Sequence, residues 1–202
     1  MLPKVTIIIP FKEDRGYLQK AIESVKEQTY KGEIELILSQ SDNRVGYNIN
    51  RGIEKATGEY IKYLCDDDWL TPNSIEDSVK AIQGFDFIHG NAFNVFGNTK
   101  QIQKPRRPHP TFNDMIFNNV IHGGTLMYRK DVFDRIGLFN EDLDCAEEYE
   151  FNLRCFKNKM KLNYCQKTLY NYRRHEAQKS LGKGADQEVR RKKIHAIKMM
   201  YA

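Results

Sequence analysis

Residues 5–10 have the sequence VTIIIP, a short apolar run that is rich in β-branched side chains and ends at a proline. Such a run is typical of a parallel strand that is buried on both faces of a sheet. From Tyr17 to Gln28 the apolar residues recur at helical spacing with charged residues between them, which predicts an amphipathic helix. The beginning of the chain therefore predicts a strand, a loop and a helix.

The same alternation continues downstream. Residues 34–38 (IELIL) predict a second buried strand, and the apolar spacing from Ile49 to Ala56 predicts a helix that ends at Gly58. Residues 59–64 predict a third strand. Successive β-α units imply an α/β fold, Rossmann-like, with a mostly parallel central sheet and helices on both faces.

Two capping signals mark helices in the rest of the chain. Thr71 followed by Pro72 predicts an N-cap with proline at the first helical position, and Asp144 three residues before Glu147 predicts a capping box. The further predicted elements are strands at 85–95, 125–128 and 162–172 and a helix at 111–118. We find no internal repeat and no linker, so we predict one domain at residues 1–180 and a basic helical appendage at residues 181–202.

Length, charge and cysteine usage limit the classes of protein. The chain has 202 residues, 40% of them apolar and 29% charged, which fits one globular domain with a short extension. Lys and Arg exceed Asp and Glu by 32 to 27, a balance that favours phosphates or an anionic surface as partners and leaves a nucleic-acid-binding module open. No apolar run reaches the roughly 20 residues of a bilayer span. With no CxxC pair and no apolar leader, we predict a cytoplasmic protein with reduced thiols and at most peripheral contact with the inner membrane face.

Three adjacent carboxylates, Asp66, Asp67 and Asp68, follow the third predicted strand directly. In open α/β sheets, ligands bind beyond the carboxyl ends of the strands. Clustered carboxylates repel one another, and a hard divalent cation relieves that repulsion. The position predicts a metal site, and a solvated acidic turn is the alternative.

Several common catalytic motifs are absent from the sequence. There is no GxxxxGK[ST] phosphate loop, no GxSxG nucleophile elbow and no HExxH zinc motif. The pair Gly123-Gly124 is too short to indicate a dinucleotide fold. Without a glycine-rich loop after the first strand, a nucleotidyltransferase is a weaker hypothesis.

Several segments together resemble the family 2 glycosyltransferases of the GT-A fold. The segments are VTIIIPF at 5–11, GIEKATGEYI at 52–61, LCDDDWLTP at 64–72, HGG at 122–124, GLFNE at 137–141, AEEYE at 146–150 and YRRH at 172–175. They occur in the family's order. The resemblance implies a nucleotide-sugar-dependent and generally inverting transferase, with a UDP-sugar donor, a carbohydrate or lipid-linked glycan acceptor, and Mn²⁺ or Mg²⁺ as cofactor. Nucleic acid is not among the implied partners.

The resemblance also implies roles for individual residues. The general base on the acceptor hydroxyl is Glu148, and Glu150 replaces it if the register differs. The implied metal ligands are Asp67, Asp68 and His175. The implied donor-binding residues are Pro10, Phe11, Gln40, Asp42, Asn50 and Asp66. The implied acceptor-binding residues are Gly123, Gly124 and Glu147.

Two departures from the family pattern leave a second hypothesis open. Where the family has an acid pair after the second strand, this chain has Ser39-Gln40-Ser41 with Asp42 displaced, and Cys65 replaces the first acid of the acidic motif. The alternative is an inactive nucleotide-sugar- or carbohydrate-binding protein.

Glu147 and Glu148 are offset by about 100° on a helix, so we expect one of them to face the cleft and the other to cap the helix.

The C-terminal segment predicts a basic amphipathic helix. Val189, Ile194, Ile197 and Tyr201 share one side, and the basic residues of the other positions are Arg190, Arg191, Lys192, Lys193 and Lys198. Such a helix packs on the domain or rests on an anionic membrane. Because the apolar side lacks Trp, Phe and Leu, packing is the favoured interpretation.

Overall fold

The structure is a computed structural model that describes residues 1–175 and 185–201. The strands are β1 Val5–Phe11, β2 Ile34–Gln40, β3 Tyr60–Tyr63, β4 Trp69–Leu70, β5 Phe87–Phe96, β6 Thr99–Gln103, β7 Met127–Arg129 and β8 Leu162–Arg173. The helices are α1 Leu18–Lys26, α2 Val45–Lys55, α3 Ser74–Ala81, α4 Phe112–Phe117, α5 Asp131–Ile136, α6 Glu147–Lys157 and α7 Ala185–Met199. A short 3-10 turn covers Gly123–Thr125.

The strands form one sheet in the order β2-β1-β3-β7-β5-β8-β4, and β6 pairs with β5. β1 runs parallel to β2 and β3, and β5 runs parallel to β8. β7, β4 and β6 run antiparallel to their neighbours. Five of the eight strands in the described ranges therefore point in one direction. The predicted mostly parallel sheet is confirmed, with β7 as an antiparallel insertion at its centre.

Side chains of β1 alternate between two hydrophobic layers, as the period of a strand requires. Ile7 and Ile9 pack with α1 and α3 on one face of the sheet. Ile8 packs on the other face with residues of α2, α5 and α6. The continuous apolar run of β1 therefore results from burial on both faces, and the prediction of helices on both faces is confirmed.

Two predicted helix starts are wrong. α3 begins at Ser74 rather than after Thr71, because the Thr71 hydroxyl donates to the Thr168 carbonyl at 2.7 Å and is used in holding β8. α6 begins at Glu147, and Asp144 forms an ion pair with Lys193 of α7 instead of a capping box. In both cases a contact distant in sequence replaces the local one.

α7 packs on the body of the domain through the apolar side that the sequence indicates. Ile197 is 1% exposed within the core of α2, α5 and α6. Lys198 donates to the Phe117 carbonyl at 2.7 Å, and the Tyr201 hydroxyl donates to Glu150. The predicted boundary between residues 180 and 181 lies outside the described residues. Within the described ranges, no helix has both the length and the apolarity needed to cross a membrane.

Replacing Ile197 by Ala should lower the free energy of unfolding by about 2–5 kcal/mol, because the substitution leaves a cavity in a packed core. Val189→Ala on the same helix is the matched control, since Val189 is 49% exposed, and should change stability by less than about 0.5 kcal/mol. Urea unfolding followed by circular dichroism measures both. Equal effects would show that α7 is not docked through Ile197.

Candidate functional site

A cavity of about 380 Å³ opens where β1 and β3 end. Its walls are the segment after β1, the acidic turn after β3, and the beginnings of α2 and α6, with one contribution from α7. The lining residues are Pro10, Phe11, Lys12, Glu13, Arg15, Asn43, Val45, Asn48, Cys65, Asp66, Asp67, Asp68, Asp144, Cys145, Ala146, Glu147, Glu148, Tyr172 and Arg190. The cavity therefore lies at the edge of the sheet where α/β folds bind ligands.

The acidic turn is held against β8 by hydrogen bonds to Asp68. This residue is 2% exposed, and its carboxylate accepts from the Tyr170 hydroxyl at 2.8 Å and from the Arg173 backbone N–H at 2.7 Å. β4 follows the turn immediately and pairs with β8, which brings the two segments together. The pKa of Asp68 is raised well above its usual range by burial, and the neighbouring charge of Asp67 adds to the effect.

Asp66 and Asp67 face basic side chains from two other segments. Arg15 lies 3.2 Å from an Asp66 oxygen and 3.5 Å from an Asp67 oxygen. His175 contacts Asp67 through Nε2 at 3.1 Å. The Arg173 side chain donates to the Asp67 carbonyl at 2.7 Å. Each carboxylate of the turn is thus oriented by residues that lie far away in the sequence.

Asp67 and Asp68 are suited to hold a hard divalent cation. Their carboxylate oxygens and the Cys65 sulfur lie within 4.8 Å of one another. Carboxylates are typical ligands of Mg²⁺ and Mn²⁺. The Cys65 thiol suits such an ion less well, because sulfur is a softer ligand than a carboxylate oxygen. His175 lies beside this group through its contact with Asp67.

Glu148 lies in the first turn of α6, on the wall of the same cavity. Burial, and then the charge of Glu147, raise the pKa of Glu148 to about 7. Ala146, with a φ of 61°, turns the chain into the helix in the left-handed region that few residues other than glycine adopt. The expectation that only one of Glu147 and Glu148 faces the cleft is wrong: the helix starts at the cavity wall, and both line it.

Gly123 and Gly124 lie behind the cavity wall rather than on it. A Cβ at Gly123 would lie 2.8 Å from Cγ of Glu148 and 2.9 Å from the Tyr63 hydroxyl. A Cβ at Gly124 would lie 2.3 Å from the Tyr170 ring. These glycines therefore permit the close approach of site side chains. Neither glycine lines this cavity, and their contact with an acceptor stays a prediction.

A buried lysine is hydrogen-bonded to the Gly123–Thr125 turn and to the residue that follows it. Lys62, in β3, donates from Nζ to the carbonyls of Gly124 and Leu126, each at 3.0 Å. The side chain is fully buried, and burial lowers its pKa to about 7. An ammonium group without a carboxylate partner in a core is costly. Lys62 was not among the residues that the sequence singled out, because its place in an apolar strand gives no signal of function.

His175 contacts Asp67 without lining the cavity, and four other predicted residues also lie outside the lining. Glu150 is buried in an ion pair with Arg154 at 2.9 Å and does not line the cavity, whereas Glu147 and Glu148 do. Asn50 is buried and bonded to both backbone groups of Phe139, so it holds a loop rather than a ligand. Gln40 bonds the Lys12 carbonyl. Asp42 is 93% exposed.

The cavity also contains residues that no sequence motif assigned to the site. Asn48 ties the ends of β1 and β2 together by donating to the carbonyls of Phe11 and Ser41. Arg15 lies in the loop that follows β1. Because ligands in α/β sheets bind beyond the carboxyl ends of the strands, this position could have identified Arg15 as a candidate. Arg190 lies on α7, and no local pattern indicates that this helix reaches the cavity.

The model of the protein family described as Glycosyl transferase family 2 matches residues 30–137, more than half of the chain. The chain belongs to this family. The match includes the acidic turn and the Gly123–Thr125 turn, whereas Glu148, His175 and Arg190 lie beyond it.

Curated glycosyltransferases are similar to this family 2 chain. An uncharacterized glycosyltransferase of Rickettsia conorii is 28% identical over 76% of this chain and 31% of its own length. YwdF, an uncharacterized glycosyltransferase of Bacillus subtilis, is 30% identical over 61% of this chain and 48% of its own length. The GalNAc(5)-diNAcBac-PP-undecaprenol beta-1,3-glucosyltransferase of Campylobacter jejuni is 28% identical over 45% of this chain and 38% of its own length. The chain spans 28% to 65% of the length of the Rickettsia relatives it matches.

Solved structures of S. aureus TarS share the fold of the family 2 chain. TarS 1-349 in complex with UDP has a TM-score of 0.70 at 18% identity, over 98% of this chain and 66% of that chain. The complex of TarS 1-349 with UDP-GlcNAc has a TM-score of 0.69 over 87% of this chain and 60% of that chain. The predicted single GT-A-like α/β domain is confirmed.

Lys62 should make stability depend on pH. The folded protein loses the Lys62 proton above about pH 7, whereas the unfolded lysine keeps it to about 10.5, so the unfolded state binds more protons between these values. The free energy of unfolding therefore gains about 1.4 kcal/mol per pH unit from this residue in that window. Lys62→Met should remove this gain in urea unfolding curves at pH 7 to 10.

Lys26→Met is the control for this prediction, since Lys26 is an exposed lysine of α1. It should leave the pH dependence of wild type unchanged. If Lys62→Met and Lys26→Met give parallel pH curves, the buried ammonium does not titrate as the structure indicates.

Proposed function

We propose that this protein transfers a sugar from a UDP-sugar donor to a hydroxyl group of a carbohydrate or lipid-linked glycan, with inversion at the anomeric carbon. The observation that carries the proposal is that Glu148 and the Asp66–Asp68 turn line one cavity at the strand ends. Membership of glycosyl transferase family 2 supports it. So do a solved TarS complex with UDP-GlcNAc and a Campylobacter jejuni relative that carries undecaprenol in its name.

Glu148 is the residue that fits the general base. In this role its carboxylate takes the proton of the acceptor hydroxyl, and the acceptor oxygen forms a bond to the anomeric carbon. The bond from that carbon to the diphosphate oxygen breaks, and its electron pair leaves with the diphosphate. Attack on the face opposite the leaving group inverts the configuration. A base with a pKa of about 7 is well matched to work near neutral pH.

Asp67 and Asp68 would hold Mn²⁺ or Mg²⁺ in the proposed reaction. The ion supplies positive charge to the departing diphosphate. Tyr170 and Arg173 fix Asp68, and Arg15 and His175 orient Asp67. Pro10, Phe11 and Asp66 remain the proposed donor contacts, because they line the cavity.

Glu148→Gln should lower the rate of UDP release from UDP-GlcNAc by about 10²–10⁴-fold, because the base is lost. UDP affinity should stay within about threefold of wild type, since the variant keeps the shape of the side chain. The ionised form of Glu148 is required, so the wild-type rate should fall as the pH drops below about 7.

Glu147→Gln serves as the neighbouring variant in the same assay. Since the charge of Glu147 raises the pKa of Glu148, this variant should stay active and shift the acidic limb to lower pH. A large loss of rate in Glu147→Gln, with Glu148→Gln unaffected, would contradict the assignment.

Asp67→Asn should weaken Mn²⁺ binding about tenfold or more, because a neutral amide is a poorer ligand than a carboxylate. Electron paramagnetic resonance of free Mn²⁺ measures the affinity directly. Asp42→Asn is the matched control, since Asp42 is 93% exposed and outside the cavity. Equal Mn²⁺ affinity in the two variants would contradict the proposed metal site.

Cys65 favours a second candidate function, nucleotide-sugar binding without transfer. The residue occupies the place of an acid in the family motif, and its thiol stays protonated. This candidate predicts UDP binding without UDP release from any nucleotide sugar between pH 6 and pH 9. Measurable release by wild type, lost in Glu148→Gln, would exclude it.

A further inference from the structure

α7 brings a cationic side chain into the candidate donor cavity. Arg190 lines the cavity together with Cys145, Glu147 and Glu148. Lys193, one turn later on the same helix, forms an ion pair with Asp144, whose own side chain also lines the cavity. Together with burial of Ile197, this contact holds the helix so that Arg190 meets the cavity.

The cavity is strongly acidic for a site that would accept a diphosphate. Seven of its described lining residues are acids, and three are Lys or Arg. The acids are Glu13, Asp66, Asp67, Asp68, Asp144, Glu147 and Glu148. A dianionic ligand would be repelled there unless cations offset these charges.

Two of the three cations lie within 4 Å of a carboxylate. Lys12 lies 3.9 Å from Asp42, and Arg15 lies between Asp66 and Asp67. Arg190, by contrast, has no salt bridge and no side-chain hydrogen bond to any residue within 1–175 or 185–201. Its charge does reach Glu148, whose pKa it lowers slightly against the larger effect of burial. Among residues 1–175 and 185–201, Arg190 is therefore the cavity cation that no carboxylate or carbonyl engages.

We propose that Arg190 binds the diphosphate of the nucleotide-sugar donor. The inference rests on the proposed function and assigns a role to a helix that the family match does not include. The planar guanidinium matches two phosphate oxygens at once. As the bond between the anomeric carbon and the diphosphate oxygen breaks, the electron pair stays on that oxygen, and N–H groups of Arg190 stabilise the added charge.

The chain supplies a matched control at the next position. Arg191 is exposed on the same helix and has the same charge, so Arg190→Gln and Arg191→Gln change net charge and helix propensity equally. Arg190→Lys keeps the charge and loses the planar fork. Uridine is the ligand control, because it lacks the diphosphate.

The experiment measures Kd of UDP by calorimetry and of uridine by NMR titration, both with Mn²⁺ present. Arg190→Gln should weaken the affinity for UDP by about 10- to 100-fold, which is the range expected for the loss of hydrogen bonds to a charged group. Uridine affinity should be unchanged, Arg190→Lys should recover part of the UDP affinity, and Arg191→Gln should match wild type.

Two results would overturn the inference while leaving the proposed function in place. The first is wild-type UDP affinity in Arg190→Gln. The second is an equal loss for UDP and uridine, which would show that the substitution disturbs the cavity rather than a phosphate contact. Failure of wild type to bind UDP at all would instead contradict the proposed function, and with it this inference.

Discussion

The hydrogen bonds to the Asp68 carboxylate join parts of the chain that are more than 100 residues apart, and the site depends on them. Tyr170 and Arg173 lie in β8, so their bonds to Asp68 fix the acidic turn to the far half of the sheet. The Arg173 side chain also donates to the backbone carbonyl of Asp67, which helps to orient the Asp67 carboxylate. These bonds contribute to the position of Asp67 relative to Glu148, which lines the same cavity.

The cavity concentrates negative charge that the fold alone does not neutralise. Burial raises the pKa of Asp68 and of Glu148, because a carboxylate in a poorly solvated place favours its neutral form. A stable fold has no need of such a cluster, whereas a reaction that pairs a base with an anionic leaving group does. In the proposed reaction, a divalent ion and Arg190 offset the negative charge of the acids, and the anionic donor binds next to these cations.

The sequence predicted the layers of this fold and the centre of its site for physical reasons. A strand buried on both faces must be apolar throughout, so β1 was recognisable, and Asp66–Asp68 stood out at the end of β3. Local signals failed where distant contacts replaced them: Thr71 bonds β8 and Asp144 pairs with α7. The basic run at residues 190–193 is visible in the sequence, but the place of Arg190 on the cavity wall depends on where α7 docks.

The central claim is that UDP and a divalent ion bind together at the acidic turn after β3. Anomalous diffraction at the manganese edge, from crystals grown with UDP and MnCl₂, tests it most directly. The account predicts an anomalous peak at about 2.0–2.6 Å from an Asp67 oxygen, the range for oxygen ligands of hard divalent ions, with the UDP diphosphate next to it. A peak away from Asp67, or UDP bound outside this cavity, would contradict the account.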